Sequence, residues 1–246
     1  MSVRRYGSGA AAVVYLHGLG EAGTCFAPLL ADPALAAFSH VVPDLPGYGR
    51  SAWPERAASL DQLAGALARW LRRFPAPPVV VGHSMGGVLG VLIAEAARER
   101  VAAVVNIDGN VSLGDCTFSG KAAALSLDQM RDGGFDRLRE EVFADGERRP
   151  ELRGYYAALR FADPATYHRH ACDLVALSTA ETMAVRMAHL GVPCTFVAGV
   201  PGGVCERSRE LLTEARVTWV GVEPAGHWVF ADQPAVCARI IAAVLG

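Results

Sequence analysis

Gly82-His83-Ser84-Met85-Gly86-Gly87 is the stretch of this chain whose residue types and spacing point first to chemistry. It places Gly-x-Ser-x-Gly between the apolar run Val79-Val80-Val81 and the apolar stretch Val88–Ala97, which together read as strand, sharp turn and helix. A serine at such a turn takes a strained backbone conformation, and its glycine neighbours let the chain pass without side chains. Its hydroxyl then stands free above the sheet, near the positive end of the following helix. That is a place for a nucleophile. The plain alternative is a glycine-rich turn with a bystander serine. With 26 glycines and 11 serines in 246 residues, chance alone supplies about 0.1 such matches, so the flanking strand and helix separate the two readings.

Composition narrows the setting. A length of 246 residues suits one α/β domain with room for an insertion. No apolar run approaches the ~18 residues of a membrane span, and Ala10–Leu16 reads as a strand rather than a signal peptide. The formal net charge of −2, without like-charge blocks, argues against nucleic acid as a partner. Cys25, Cys116, Cys172, Cys194, Cys205 and Cys237 are scattered, as expected of reduced thiols in a cytoplasmic protein. No Gly-rich phosphate loop carries a lysine, and no His, Cys or carboxylate cluster has metal spacing, so no cofactor and no metal are expected.

The elements that must position Ser84 follow from periodicity. Ala11–Leu16 reads as a strand ending in His17-Gly18-Leu19-Gly20, and Thr24 as the cap of a helix from Cys25 to about Leu35. His40–Pro43 is a second strand, followed by the loop Asp44-Leu45-Pro46-Gly47-Tyr48-Gly49-Arg50-Ser51, with Asp44 anchoring that loop. Ser59-Leu60-Asp61-Gln62 forms a capping box opening an amphipathic helix. Val101–Ile107 is a buried strand ending at Asp108-Gly109. Buried strands alternating with amphipathic helices mean a parallel sheet, with function at the carboxyl ends of the strands. The rhythm breaks over residues 111–178, where Lys121–Met130, Phe135–Phe143, Pro150–Arg160 and Pro164–Leu177 read as helices. This stretch is expected to be a lid inserted into a core of residues 1–110 and 179–246. Some of its aromatics, which include Phe118, Phe135, Phe143, Tyr155, Tyr156, Phe161 and Tyr167, are expected to line a pocket. A helix Ala180–Leu190, strands Cys194–Ala198 and Val217–Val222, and a last helix Pro234–Leu245 capped by Asp232 complete the chain.

The glycine motifs, taken with Gly226-His227 near the C-terminus, resemble those of the α/β-hydrolase fold superfamily, over nearly the whole chain. The resemblance implies an α/β fold with a mostly parallel sheet flanked by helices, Ser84 as nucleophile and His227 as general base. It also implies the backbone N–H groups of Leu19 and Met85 as the oxyanion hole. Two departures stand out. The N-terminal strands are shortened, reduced to about Val3–Tyr6. And the strand after the insertion runs into Gly199-Val200-Pro201-Gly202-Gly203, where many members of the superfamily place the triad carboxylate.

Among the seven histidines, only His227 follows the last strand. His17 and His83 sit within glycine motifs as structural donors or pocket walls. The acid is expected between Ser84 and His227 in sequence and at a strand end. Asp108 meets both conditions, Glu206 is the alternative, and Asp115 is a further one. Gly18, His83 and Trp228 are expected to contact substrate. An aspartate nucleophile of the dehalogenase or epoxide-opening kind is absent because the turn carries Ser84. The resulting expectation is a cofactor-free serine hydrolase, acting on an ester, thioester or lactone of a small-to-medium hydrophobic acyl group. The alternatives are an acyltransferase, cyclase or lyase using the same triad, and a catalytically idle ligand-binding protein on the same scaffold.

Overall fold

The computed structural model describes residues 1–9 and 12–246. Among the described residues, seven strands form one sheet: β1 Ser2–Tyr6, β2 Ala12–Leu16, β3 Ser39–Asp44, β4 Val79–His83, β5 Ala103–Ile107, β6 Cys194–Gly202 and β7 Thr218–Gly226. Their spatial order is β1-β3-β2-β4-β5-β6-β7, with β1 antiparallel to β3 and every other pairing parallel. The short N-terminal strand therefore persists as the antiparallel edge. Ala11, where the second strand was expected to begin, lies outside the described residues.

β4 and β5 are buried along their whole length, which explains their unbroken apolar sequence. The helix Met85–Ala96 is buried on ten of its twelve residues and lies against β4, β5 and β2. Packing at the Ser84 turn is tight. A Cβ on Gly82 would overlap the Gly86 carbonyl, and one on Gly86 would overlap that of Leu16. These glycines are present because backbone meets backbone there.

The capping box forms as read, Ser59 accepting from the Gln62 N–H at the start of the helix Leu60–Leu71. The helix expected over Cys25–Leu35 does not. In its place are two 3₁₀ turns, Gly23–Phe26 and Pro33–Leu35, around a single α-turn at Ala27–Leu30, with Asp32 capping Ala34. Pro33 has no N–H to give and cannot stand inside a helix. Asp232 does not cap the last helix, which starts at Pro234; its carboxylate accepts the Gly226 N–H at 2.8 Å instead. β6 and β7 each run four residues further than their apolar cores, pairing Pro201 with Ala225 and Gly202 with Gly226.

Residues 111–178 contain helices at Thr117–Ala123, Leu127–Gln129, Phe135–Asp145 and Glu151–Leu159, and most of Pro164–Thr179. The first is shorter than expected, because the chain turns at Ala124–Leu125 and Ser126 opens a new capping box. Hydrogen bonds fasten this segment to the loops at the strand ends. The Asp163 N–H donates to the Gly47 carbonyl at 2.8 Å, Tyr48 meets His170 Nδ1 at 2.8 Å, and the Asp173 carboxylate accepts the Leu60 N–H at 2.9 Å.

Candidate active site

Ser84 leaves β4 with φ 52° and ψ −119°, in a region that L-residues rarely occupy. Its N–H donates to the Ile107 carbonyl at 2.9 Å, which locks the turn to the end of β5. Met85 follows as the first residue of the helix, its N–H one of those with no partner inside the helix. Ser84 and His227 share the wall of a small cavity with Gly18, Leu19, Asn110 and Trp228. His83 lines it as well.

His17 holds the glycine loop in place. Its Nδ1 donates to the Gly18 carbonyl and its Nε2 accepts the Leu45 N–H, both at 2.9 Å. The turn closes with the Glu21 N–H on the Gly18 carbonyl. Asp44 anchors the neighbouring loop as read, its carboxylate accepting from Arg50 N, Gly23 N and the Arg4 guanidinium.

Of the three acid candidates, the structure brings one to His227. Asp108 leaves β5 with φ 51°, and its Oδ2 accepts from His227 Nδ1 at 2.6 Å. Its Oδ1 accepts the N–H groups of Gly199 and Val204, each at 3.0 Å. Glu206 is exposed at the start of the helix Glu206–Glu214. Asp115 is occupied by Val111 N, Ser112 N, Cys205 N and the Ser208 hydroxyl. Burial pushes the His227 imidazole towards the neutral form. The Asp108 hydrogen bond and the charges of Asp108 and Glu21 outweigh it, so its pKa lies above 6.5.

Glu21 is a residue that sequence reasoning missed. It is 2% exposed, and its carboxylate accepts from the Gly18 N–H at 2.7 Å, His83 Nδ1 at 3.0 Å and Trp228 Nε1 at 2.5 Å. Burial raises its carboxyl pKa, but the charge and hydrogen bond of His83 and the Gly18 N–H bring it down to about 2. The other nitrogen of His83 meets the His227 carbonyl at 3.0 Å. Two histidine–carboxylate pairs thus stand side by side, with the His83 and His227 rings 4.7 Å apart. The position of Glu21 immediately after Gly20 was the available signal; its side-chain partners lie 62 and 207 residues away.

The inserted aromatics divide. Phe118 and Tyr155 line the cavity and pack on Trp228. Phe135 and Tyr167 pack on each other within the helical layer. Phe161 is 61% exposed and Phe143 is also exposed, so neither lines the pocket.

The sequence matches the model of the alpha/beta hydrolase family over residues 13–240. The chain belongs to the alpha/beta hydrolase family. This alpha/beta hydrolase is 30% identical to the esterase Rv0045c of Mycobacterium tuberculosis over 278 aligned residues, covering 100% of this chain and 86% of that protein. It is 40% identical to the lipase LipV of the same organism over 118 residues, 46% of this chain and only 43% of the lipase. The enol-lactonase of Burkholderia xenovorans LB400 shares the fold at a TM-score of 0.80 and 20% identity, covering 99% of this chain and 95% of that one. No helix among the described residues is long and apolar enough to cross a membrane.

Proposed function

We propose that this alpha/beta hydrolase is a serine hydrolase of carboxylic esters, thioesters or lactones. The single observation that carries the reading is the His227–Asp108 hydrogen bond of 2.6 Å, at the cavity that Ser84 also lines. Ser84 Oγ attacks the carbonyl carbon while His227 takes its proton on the nitrogen turned away from Asp108. Asp108 accepts from Nδ1, fixing the tautomer, and balances the imidazolium that forms. The backbone N–H groups of Leu19 and Met85 receive the oxyanion. Collapse expels the alcohol or thiol, which His227 protonates, and a water activated by His227 then releases the acid and restores Ser84.

The substrate is a small molecule. Leu19, Phe118, Tyr155, Leu174 and Trp228 supply apolar walls, which supports a small-to-medium hydrophobic acyl group. The helical segment 111–178, with Phe118 and Tyr155 over the cavity, acts as the lid of a core built from 1–110 and 179–246. The names of the related esterase and lipase support the same reaction class. The six free thiols support a cytoplasmic location. A product-analysed screen of acyl esters, thioesters and lactones, with wild type beside Ser84→Ala, tests the proposal. Hydrolysis that survives Ser84→Ala contradicts it.

A further inference from the structure

Asn110 stands in the wall of the same cavity with an acceptor that nothing among the described residues uses. The residue is 5% exposed, and its Oδ1 has no hydrogen-bond partner among the described residues. The amide cannot turn to find one without losing what it has, because Nδ2 donates to the Asp115 carbonyl at 3.2 Å and lies 3.7 Å from Cys116 Sγ. Asp115 is itself held by four donors, so the whole turn is rigid. Asn110 is not needed to close the β5 turn either; Asn106 does that, its Oδ1 accepting the Gly109 N–H at 3.0 Å. The other unpartnered buried atoms, Arg100 Nε and Ser178 Oγ, belong to residues that do not line this cavity.

The placement is informative. β4 lies between β2 and β5, so the Gly18–Leu19 loop after β2 and Asn110 after β5 flank Ser84 from opposite sides. A carbonyl whose oxygen turns to the Leu19 side presents its remaining substituents towards Asn110. A buried, unpartnered acceptor on a residue lining the cavity of Ser84 favours a substrate that brings a donor, and a site of that kind disfavours the analogue lacking it.

We propose that Asn110 Oδ1 is a specificity-determining acceptor, and that the preferred substrates carry a hydrogen-bond donor, a hydroxyl or an amide N–H, close to the scissile carbonyl. This rests on the hydrolase reading above. The donor comes from the acyl side or from the alcohol side, and matched esters distinguish the two.

The test compares kcat/KM for p-nitrophenyl 3-hydroxybutyrate against p-nitrophenyl butyrate, and for 2-hydroxyethyl butyrate against propyl butyrate. p-Nitrophenyl 3-methoxybutyrate controls for polarity without a donor. One donor-bearing ester should exceed its partner by about tenfold or more, the methoxy ester should gain nothing, and Asn110→Leu should bring that ratio to within about threefold of one. Thermal melting checks that the variant folds; if the leucine variant does not, Asn110→Ser is read by the same ratio. Ratios near one in the wild type, a ratio indifferent to the substitution, or a wild type that reacts with a fluorophosphonate at Ser84 yet cleaves none of these esters overturns the acceptor role and leaves the nucleophile standing. A folded wild type that neither reacts with the fluorophosphonate nor cleaves any ester overturns the hydrolase reading, and the acceptor role with it.

Discussion

Asp108 and Gly203 are made for each other: a Cβ on Gly203 would overlap Asp108 Oδ1. The glycine turn after β6 therefore has a definite role. It carries no carboxylate, and it wraps the one that arrives from β5. The Gly199 and Val204 N–H groups both point at Oδ1, leaving Oδ2 for His227. β6 lies between β5 and β7, so their ends are two strand spacings, ~10 Å, apart, and a carboxylate on β5 reaches the histidine loop after β7 across a turn stripped of side chains.

Asp108→Asn should keep the fold and lower kcat by about 10³- to 10⁴-fold, since an amide stabilises the wrong tautomer and cannot balance imidazolium. Gly203→Ala should also lower kcat, by displacing the same carboxylate. Glu206→Gln should stay within about twofold of wild type, as an exposed substitution away from the site. Steady-state kinetics on one ester decide among them; an inactive Glu206→Gln beside a near-normal Asp108→Asn would reverse the assignment.

The pH dependence has a definite sign. The base acts when neutral, and the pKa of His227 lies above 6.5, so the acid limb of kcat/KM should fall above pH 6.5. Glu21→Gln removes one of the charges that raise it, and the limb should move down. Glu21 also bears on stability. Its folded pKa of about 2 is below the unfolded 4.5, so its contribution is present above pH 4.5 and is lost as pH falls towards 2. Acid unfolding of Glu21→Gln should lack that part of the slope. A limb unmoved in Glu21→Gln would mean that the second histidine–carboxylate pair is electrically silent at the site.

Gly18→Val tests the loop after β2. A Cβ at Gly18 would meet Glu21 Oε2 at 2.9 Å and His83 Nδ1 at 3.2 Å, prising apart the contacts that hold the loop. Turnover should fall by about 10²-fold, comparable to losing one oxyanion donor, while circular dichroism stays native. Unchanged turnover would remove this loop from the site.

Tyr155 packs on Phe118 and Trp228 at the cavity wall, whereas Phe161 faces out. Tyr155→Ala should shift acyl chain-length preference more than it changes the rate on an acetyl ester, and Phe161→Ala should do neither. Equal losses on every ester with Tyr155→Ala would make it a packing residue alone.

Ser84, His227 and Asp108 were legible in the sequence because each sits where a local rule puts it: a glycine-spaced turn, the loop after the last strand, a strand end. Glu21 was not, since its meaning depends on His83 and Trp228, which only the folded chain brings to it. The same holds for Asn110, whose unpaired oxygen exists only once Asn106 and Asp115 have taken the other roles in the turn. The parallel core was legible from uninterrupted valine runs. The broken helix before β3 could have been read from Pro33, and Asp232 was misplaced because its partner, Gly226, lies behind it in the chain.

Fluorophosphonate labelling, read by intact-protein mass spectrometry and peptide mapping, decides whether Ser84 is the nucleophile. One adduct is expected, on Ser84, lost in Ser84→Ala, formed much more slowly in a folded His227→Ala variant, and accompanied by ester hydrolysis in the wild type alone. A well-folded wild type that takes no label, or takes it on another residue with hydrolysis intact in Ser84→Ala, would contradict it.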